Sequence, residues 1–256
     1  MIDQSTELPE RAAFLVARDR EHKRKTANTI EDYAEMFHQS PDELLAGEVL
    51  NIGDPFRVLG RQYRQVMTVD YEYPDPRQVF PKGIPERIQE LLEVTDDRFI
   101  EGPFPWITQQ LPGESFDRIL AHKSLSMHSF AEYEAGDFLE VWDEIVRLLR
   151  PGGRAYIGPL QTDLGGRFDD EMLHQLTTPT LNDLRDEGII DFRIVHNYDP
   201  DRNQPLIVPN APDCLVIEKL DSNGESSLGE LFPQSKYAHL PGFDDRREIE
   251  ALPETT

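Results

Sequence analysis

One cysteine, Cys214, in 256 residues excludes a disulfide framework and any multi-cysteine metal site, so a reducing cytoplasm is the simplest setting. Positive charge is scarce too. Lys and Arg number 26 against 49 Asp and Glu, a formal net charge of -23. Such a surface repels phosphate backbones and anionic membranes, which disfavours nucleic acid and lipid as partners. The one basic stretch, RDREHKRK at 18–25, reads as a solvated helix face or frayed arm. No apolar run reaches membrane-spanning length, and the apolar residues at 12–17 are too few and too closely flanked by charge for a secretory signal. The seven histidines are scattered, which points away from a metal site. Neither G-x-x-x-x-G-K-[ST] nor G-x-G-x-x-G occurs, so nucleotide hydrolysis and hydride transfer lack their usual loops. The serines of KSLSMHS do not form a nucleophile elbow.

What is present suits an α/β domain, since a chain of this length with 38% hydrophobic residues can bury a full core. In TIEDYAEMF, Ile30, Tyr33, Ala34 and Phe37 share a helical face. In SPDELLAGEVL, Ser40 can cap a helix with Glu43 returning the bond, Pro41 suits the first turn and Gly47 the exit. Short apolar or β-branched runs then follow at 48–52, 65–70, 97–102, 116–122 and 153–159, separated by helical patterns at 84–94 and 136–150. In the second pattern Phe138, Val141, Trp142, Ile145, Leu148 and Leu149 form a stripe ended by Pro151, Gly152 and Gly153. That alternation predicts a parallel sheet covered on both faces. A helix at 178–188 and two strands at 192–198 and 213–220 complete the order, the strands antiparallel because only a polar loop joins them. The Ser-, Gly-, Pro- and acid-rich tail at 221–256 predicts loose packing or disorder.

Gly53, Asp70, Glu101 and His122 fall at or just past strand ends, where an open parallel sheet binds ligands. EVLNIG, VMTVD, FIEGPFP, LPGESFDRILAHKSLSMHS and LLRPGGRAYIGP occur in the order of motifs in class I S-adenosylmethionine-dependent methyltransferases, which the chain resembles over roughly residues 40–220. The resemblance implies a Rossmann-like fold with a mostly parallel seven-stranded sheet, an antiparallel last strand and helices on both faces. It divides the chain into a helical extension at 1–40, the methyltransferase-like domain at 41–220 and the tail.

By the same resemblance, S-adenosylmethionine is the cofactor and a small molecule the methyl acceptor. Asp70 with Tyr71 would hold the ribose, Glu101, Gly102, Pro103 and Phe104 would border the adenine, and the backbone of Gly53 and Asp54 would approach the methionine. His122 and His128 are candidate bases, His122 also bordering the cofactor, and Lys123 could orient an anionic acceptor. The chain departs from the family in the turn after the first strand, where a single glycine is followed by Asp54, Pro55, Phe56 and Arg57. Proline removes a donor and fixes φ, and the next two side chains add bulk. The crossover at 54–65 is near the minimum length, so its helix must be stunted. On it Arg57, Arg61 and Arg64 share a face, to receive an anion or to pair with the protein's own acids. Two functions remain open: an active methyltransferase, or a cofactor-free module with the same fold. Either could act as a homodimer or paired with a related methyltransferase.

Overall fold

The computed structural model describes residues 29–54, 57–70, 89–90, 97–122, 124–125, 135–158, 178–195, 198–199, 204–205 and 214–228. Pro55, Phe56, Tyr71, Lys123, His128, most of the helical pattern at 84–94 and the side chain of Phe138 lie outside these residues.

Thr29 opens helix α1 (Ile30–Phe37), its N–H donating to Asp32 Oδ2 at 2.6 Å. Helix α2 (Pro41–Leu44) starts as expected, with Ser40 Oγ accepting from Glu43 N at 3.2 Å. Glu43 does not return that bond. Its carboxylate accepts from Arg118 and Arg154, because a guanidinium at the sheet surface needs an anionic partner more than an exposed helix end does. There follow β1 (Val49–Ile52), α3 (Val58–Gln62), β2 (Val66–Asp70), β3 (Arg98–Glu101), a 3-10 turn (Trp106–Gln110), β4 (Phe116–His122), α4 (Ala135–Leu148), β5 (Leu149–Gly158), α5 (Thr178–Asp186), β6 (Ile190–Val195), β7 (Tyr198–Asp199), β8 (Gln204–Pro205) and β9 (Cys214–Lys219). The stunted crossover helix is five residues long.

Seven strands form one sheet in the order β3-β2-β1-β4-β5-β9-β6. Pairings from β3 to β5 are parallel, and β9 runs antiparallel to both β5 and β6. The short pair β7 and β8 lies within the polar loop between β6 and β9. This is the mostly parallel sheet with an antiparallel last strand that the resemblance implied. Helix α4 ends at Leu148, earlier than its stripe suggested. Leu149 already pairs with Phe116, and a register shift between Phe116 and Arg118 absorbs Pro151, Gly152 and Gly153 into β5.

Each face of the sheet has its own core. On the first, Ile30, Tyr33 and Phe37 of α1, Leu44 of α2 and Leu59 of α3 cover Val49, Val66, Leu120, Tyr156 and Val216. On the second, Trp142, Ile145 and Leu148 of α4 and Leu181 of α5 cover Leu50, Ile52, Ile119 and Ile157. A boundary at residue 40 thus runs between two helices of one core. The beginning of the tail is anchored, contrary to expectation for that part: Leu228 is fully buried, and Ser227 Oγ bonds both Arg154 and Glu218.

Tyr156 lies beside this anchor and donates to Glu43 Oε1 at 3.3 Å. Burial, reinforced by the charge of Glu43, pushes its phenol up to about 12. Above pH 10 an unfolded tyrosine sheds its proton while the folded one keeps it. Stability therefore falls as pH rises from 10 to 12, by about 2–3 kcal/mol over the full window. Buried Tyr33, also raised, adds a decline of the same sign. Denaturant titrations at pH 9 and 11.5 should show the loss, and Tyr156→Phe should make it shallower; an equal slope in the variant would assign the decline elsewhere.

Candidate functional site

Alternation along the strands decides which side chains reach the crevice. Val49, Val66, Leu120 and Tyr156 belong to the first-face core, so Asn51 and His122, two residues further along β1 and β4, and Asp70, four further along β2, share that face. Asp70 pairs in register with Glu101, and His122 with Gly158. Ile52 is level with Val69 on one side and Ala121 on the other, and Gly53 N donates to the Val69 carbonyl at 2.9 Å. Glu101, Asp70, Gly53, His122 and Gly158 therefore form one row across the carboxyl ends of five neighbouring parallel strands. The winding reverses between β1 and β4, in the middle of that row, which is where such sheets bind ligands. The convergence expected from the sequence is realised for these positions.

The rim is acidic on the β2 and β3 side. Asp70 is 8% exposed and Glu101 exposed, and Gly102 N donates to the Asp70 carbonyl at 3.0 Å, tying the two strand ends together. Neighbouring carboxylates accept hydrogen bonds from vicinal hydroxyls and favour a cationic group nearby. Gly102 has φ +147, and a Cβ there would lie 2.8 Å from Ile107, so its bareness serves the turn. The Phe104 ring is 6% exposed within the second-face core, which fits a large apolar side chain. Arg147 of α4 holds the segment in place, with both Glu144 oxygens at 2.7 and 2.8 Å and the carbonyls of Leu111 and Thr108 at 2.9 and 3.0 Å.

The turn after β1 is built on internal bonds. Gly53 adopts φ +79, and a Cβ on it would lie 1.9 Å from Ser124 Cβ, while Ser124 Oγ donates to the Ile52 carbonyl at 2.6 Å. The glycine is thus required by the chain's own serine. Asp54 is 1% exposed, and its Oδ2 accepts from Asn51 Nδ2 and Leu59 N, both at 3.1 Å. Its carboxylate faces inward and pins the start of α3. Gly60 lets that helix lie close on β2, since a Cβ there would meet Thr68 Oγ1 at 2.6 Å. Of the three arginines, Arg57 and Arg61 approach Asp97 at 3.4 and 3.7 Å, and Arg57 stacks over Phe99 at 3.6 Å. Pairing with the protein's own acid is the arrangement realised for these two, and Arg64 is exposed beyond the helix.

Tyr33, Asn51 and Ser124 are site neighbours that the sequence reading did not single out. Tyr33 Oη donates to Asn51 Oδ1 at 2.8 Å, and its ring meets His122 edge-on, centroids 5.6 Å apart. Asn51 carried a signal: an amide in the apolar run VLNI must find buried partners. Tyr33 showed only as a core position and Ser124 only as one of the serines that form no nucleophile elbow. Burial first, then the negative charge of Asp54, pushes the Tyr33 phenol well above its ordinary value. Among the described residues no cluster of three or more His, Cys, Asp or Glu could hold a metal ion, and no helix is long and apolar enough to cross a membrane.

No protein-family model matches the chain, and no curated protein matches it. Solved structures similar to it include a protein assigned as an O-methyltransferase from Klebsiella pneumoniae, with 12% identity and a TM-score of 0.47 over 85% of this chain and 93% of that one. The O-methyltransferase TomG from Streptomyces achromogenes, solved with S-adenosylmethionine, shares 13% identity at a TM-score of 0.44, over 84% of this chain and 92% of that one. A 16S rRNA (adenine(1408)-N(1))-methyltransferase from Catenulisporales acidiphilia shares 13% at 0.37, over 78% and 96%. Likeness at this distance transfers no substrate. Strand order and direction, read from the sheet itself, are those of the Rossmann-like methyltransferase fold that the resemblance implied.

Proposed function

We propose that the protein is an S-adenosylmethionine-dependent methyltransferase acting on a small molecule. The observation that supports this best is the row of Glu101, Asp70, Gly53 and His122 at the point where the winding reverses. Asp70 would accept hydrogen bonds from the two ribose hydroxyls, and the acidic rim would favour a sulfonium over an anion. At the methionine end the group would lie against the Gly53 backbone beside Ser124. When bound, it supplies an electrophilic methyl. The protein's part is to align and to exclude water, with His122 able to take a proton from a hydroxyl or amine acceptor at a ring nitrogen. A net charge of -23 favours a small acceptor over nucleic acid.

Calorimetry with S-adenosylmethionine and S-adenosylhomocysteine tests the proposal. Ligand at a hundred times its dissociation constant should stabilise the fold by about 2.7 kcal/mol. Asp70→Ala should weaken binding by about tenfold to a hundredfold, the loss of hydrogen bonds to a charged acceptor, with an unchanged circular dichroism spectrum. Equal affinity in variant and parent would remove the ribose role. The second reading, a cofactor-free module that pairs with another chain, is supported by Ser124 against Gly53 and by the inward carboxylate of Asp54. Absence of heat and of any melting shift at millimolar ligand would leave that reading in place of the enzyme.

A further inference from the structure

Four groups in the described site form a chain of hydrogen bonds whose polarity is fixed at every link. The Tyr33 phenol donates to Asn51 Oδ1, Asn51 Nδ2 donates to Asp54 Oδ2, and the same oxygen accepts from the backbone N–H of Leu59. All the side chains involved are buried, Tyr33 at 1% exposure and Asn51 at 0%. With its pKa raised, the phenol keeps its proton at any physiological pH and acts as donor. An amide carbonyl held by that donor directs its NH2 toward Asp54. Without the donor the amide keeps its NH2 toward the carboxylate but loses the bond that fixes its other end, and its hold on Asp54 loosens.

We infer that Tyr33 is a positioning residue: from α1 it sets the Asn51 amide, through it Asp54, and so the shape of the turn at Gly53 and Asp54 on which a ligand would rest. Its ring edge against His122 makes the same side chain a support for the imidazole on the next strand. A helix ahead of the sheet thereby controls both sides of the point where the winding reverses. Ligand positioning rests on the methyl-donor reading above; control of the turn does not.

Tyr33→Phe keeps the ring, and with it the stacking on Phe37 and the edge contact with His122. Ile30→Val trims the same buried helix face without touching the hydrogen bonds and serves as the control. Two readouts are taken on the full chain: S-adenosylhomocysteine affinity by calorimetry, and hydrogen exchange of the Leu59 amide. Tyr33→Phe should weaken binding about tenfold and speed Leu59 exchange about tenfold, the order of one buried hydrogen bond, while Ile30→Val leaves both near parent values. Unchanged Leu59 exchange in Tyr33→Phe would overturn the inference, as would equal losses in Ile30→Val. If the parent binds no S-adenosylhomocysteine, the methyl-donor reading fails separately, and the exchange readout alone decides whether Tyr33 holds the turn.

Discussion

Glu218→Ala should cost about 3 kcal/mol, because it removes one of the two carboxylates that face Arg154 and leaves the donors of residues 226 and 227 without their buried acceptor. Arg154 Nη2 approaches Glu218 Oε1 at 3.3 Å, and the two side chains are 12% and 5% exposed. The same carboxylate accepts from Ser227 Oγ at 2.7 Å, Ser227 N at 2.9 Å and Ser226 Oγ at 3.0 Å. The substitution therefore takes one of two carboxylates from Arg154 and removes the acceptor that holds residues 226–228 on the sheet. Arg154 retains Glu43, which it shares with Arg118. That carboxylate cannot move to fill the gap without leaving Arg118, so compensation within the cluster is small. Thermal unfolding should show a midpoint lowered by roughly 6–12 °C for a domain of this size. A drop of only a degree or two would mean that water reaches Arg154 freely.

Gly53→Ala should be damaging for two separable reasons. A left-handed backbone conformation costs an L-residue about 1–2 kcal/mol. The new methyl also collides with Ser124 Cβ, an overpacking of about 1–3 kcal/mol. Ser124→Gly relieves most of the second contribution, leaving the Ser124 Cα at 3.1 Å, and none of the first. In the double variant stability should thus recover in part, beyond what the separate effects predict. The coupling, read from a double-mutant cycle by denaturant unfolding, should reach about 1 kcal/mol or more for atoms in direct contact. Strict additivity would show that the turn can swing away from Ser124, and that Gly53 is there for something other than the serine.

How far the sequence carried the reading depended on whether a feature was local. Strand β4 ends where FDRILAH ends, and α3 is as short as the crossover demanded, because apolar runs and chain length are written in consecutive residues. The row of Glu101, Asp70, Gly53 and His122 could be anticipated, since parallel strands place their ends side by side. Side-chain partners across long separations could not. Glu43 was read as the closing half of a helix cap, yet it binds Arg118 and Arg154, far along the chain. For Phe104 the resemblance implies a ligand border, and what the sequence does not show is that its ring packs into the second-face core. Tyr33 showed as one more apolar position, since periodicity records that a residue is buried and not what its hydroxyl meets. Ser124, set against Gly53 from another strand's loop, had no pattern that would reveal it.

The lone thiol gives the molecule a built-in clock. Cys214 is 0% exposed on β9, a strand held on both edges by β5 and β6. Its side chain lies in the core beneath α1, so a thiol-specific reagent gains access only when that helix lifts from the sheet face or the sheet itself opens. The rate of alkylation under native conditions therefore counts those rare excursions directly, with no label to introduce and no second cysteine to confuse the signal.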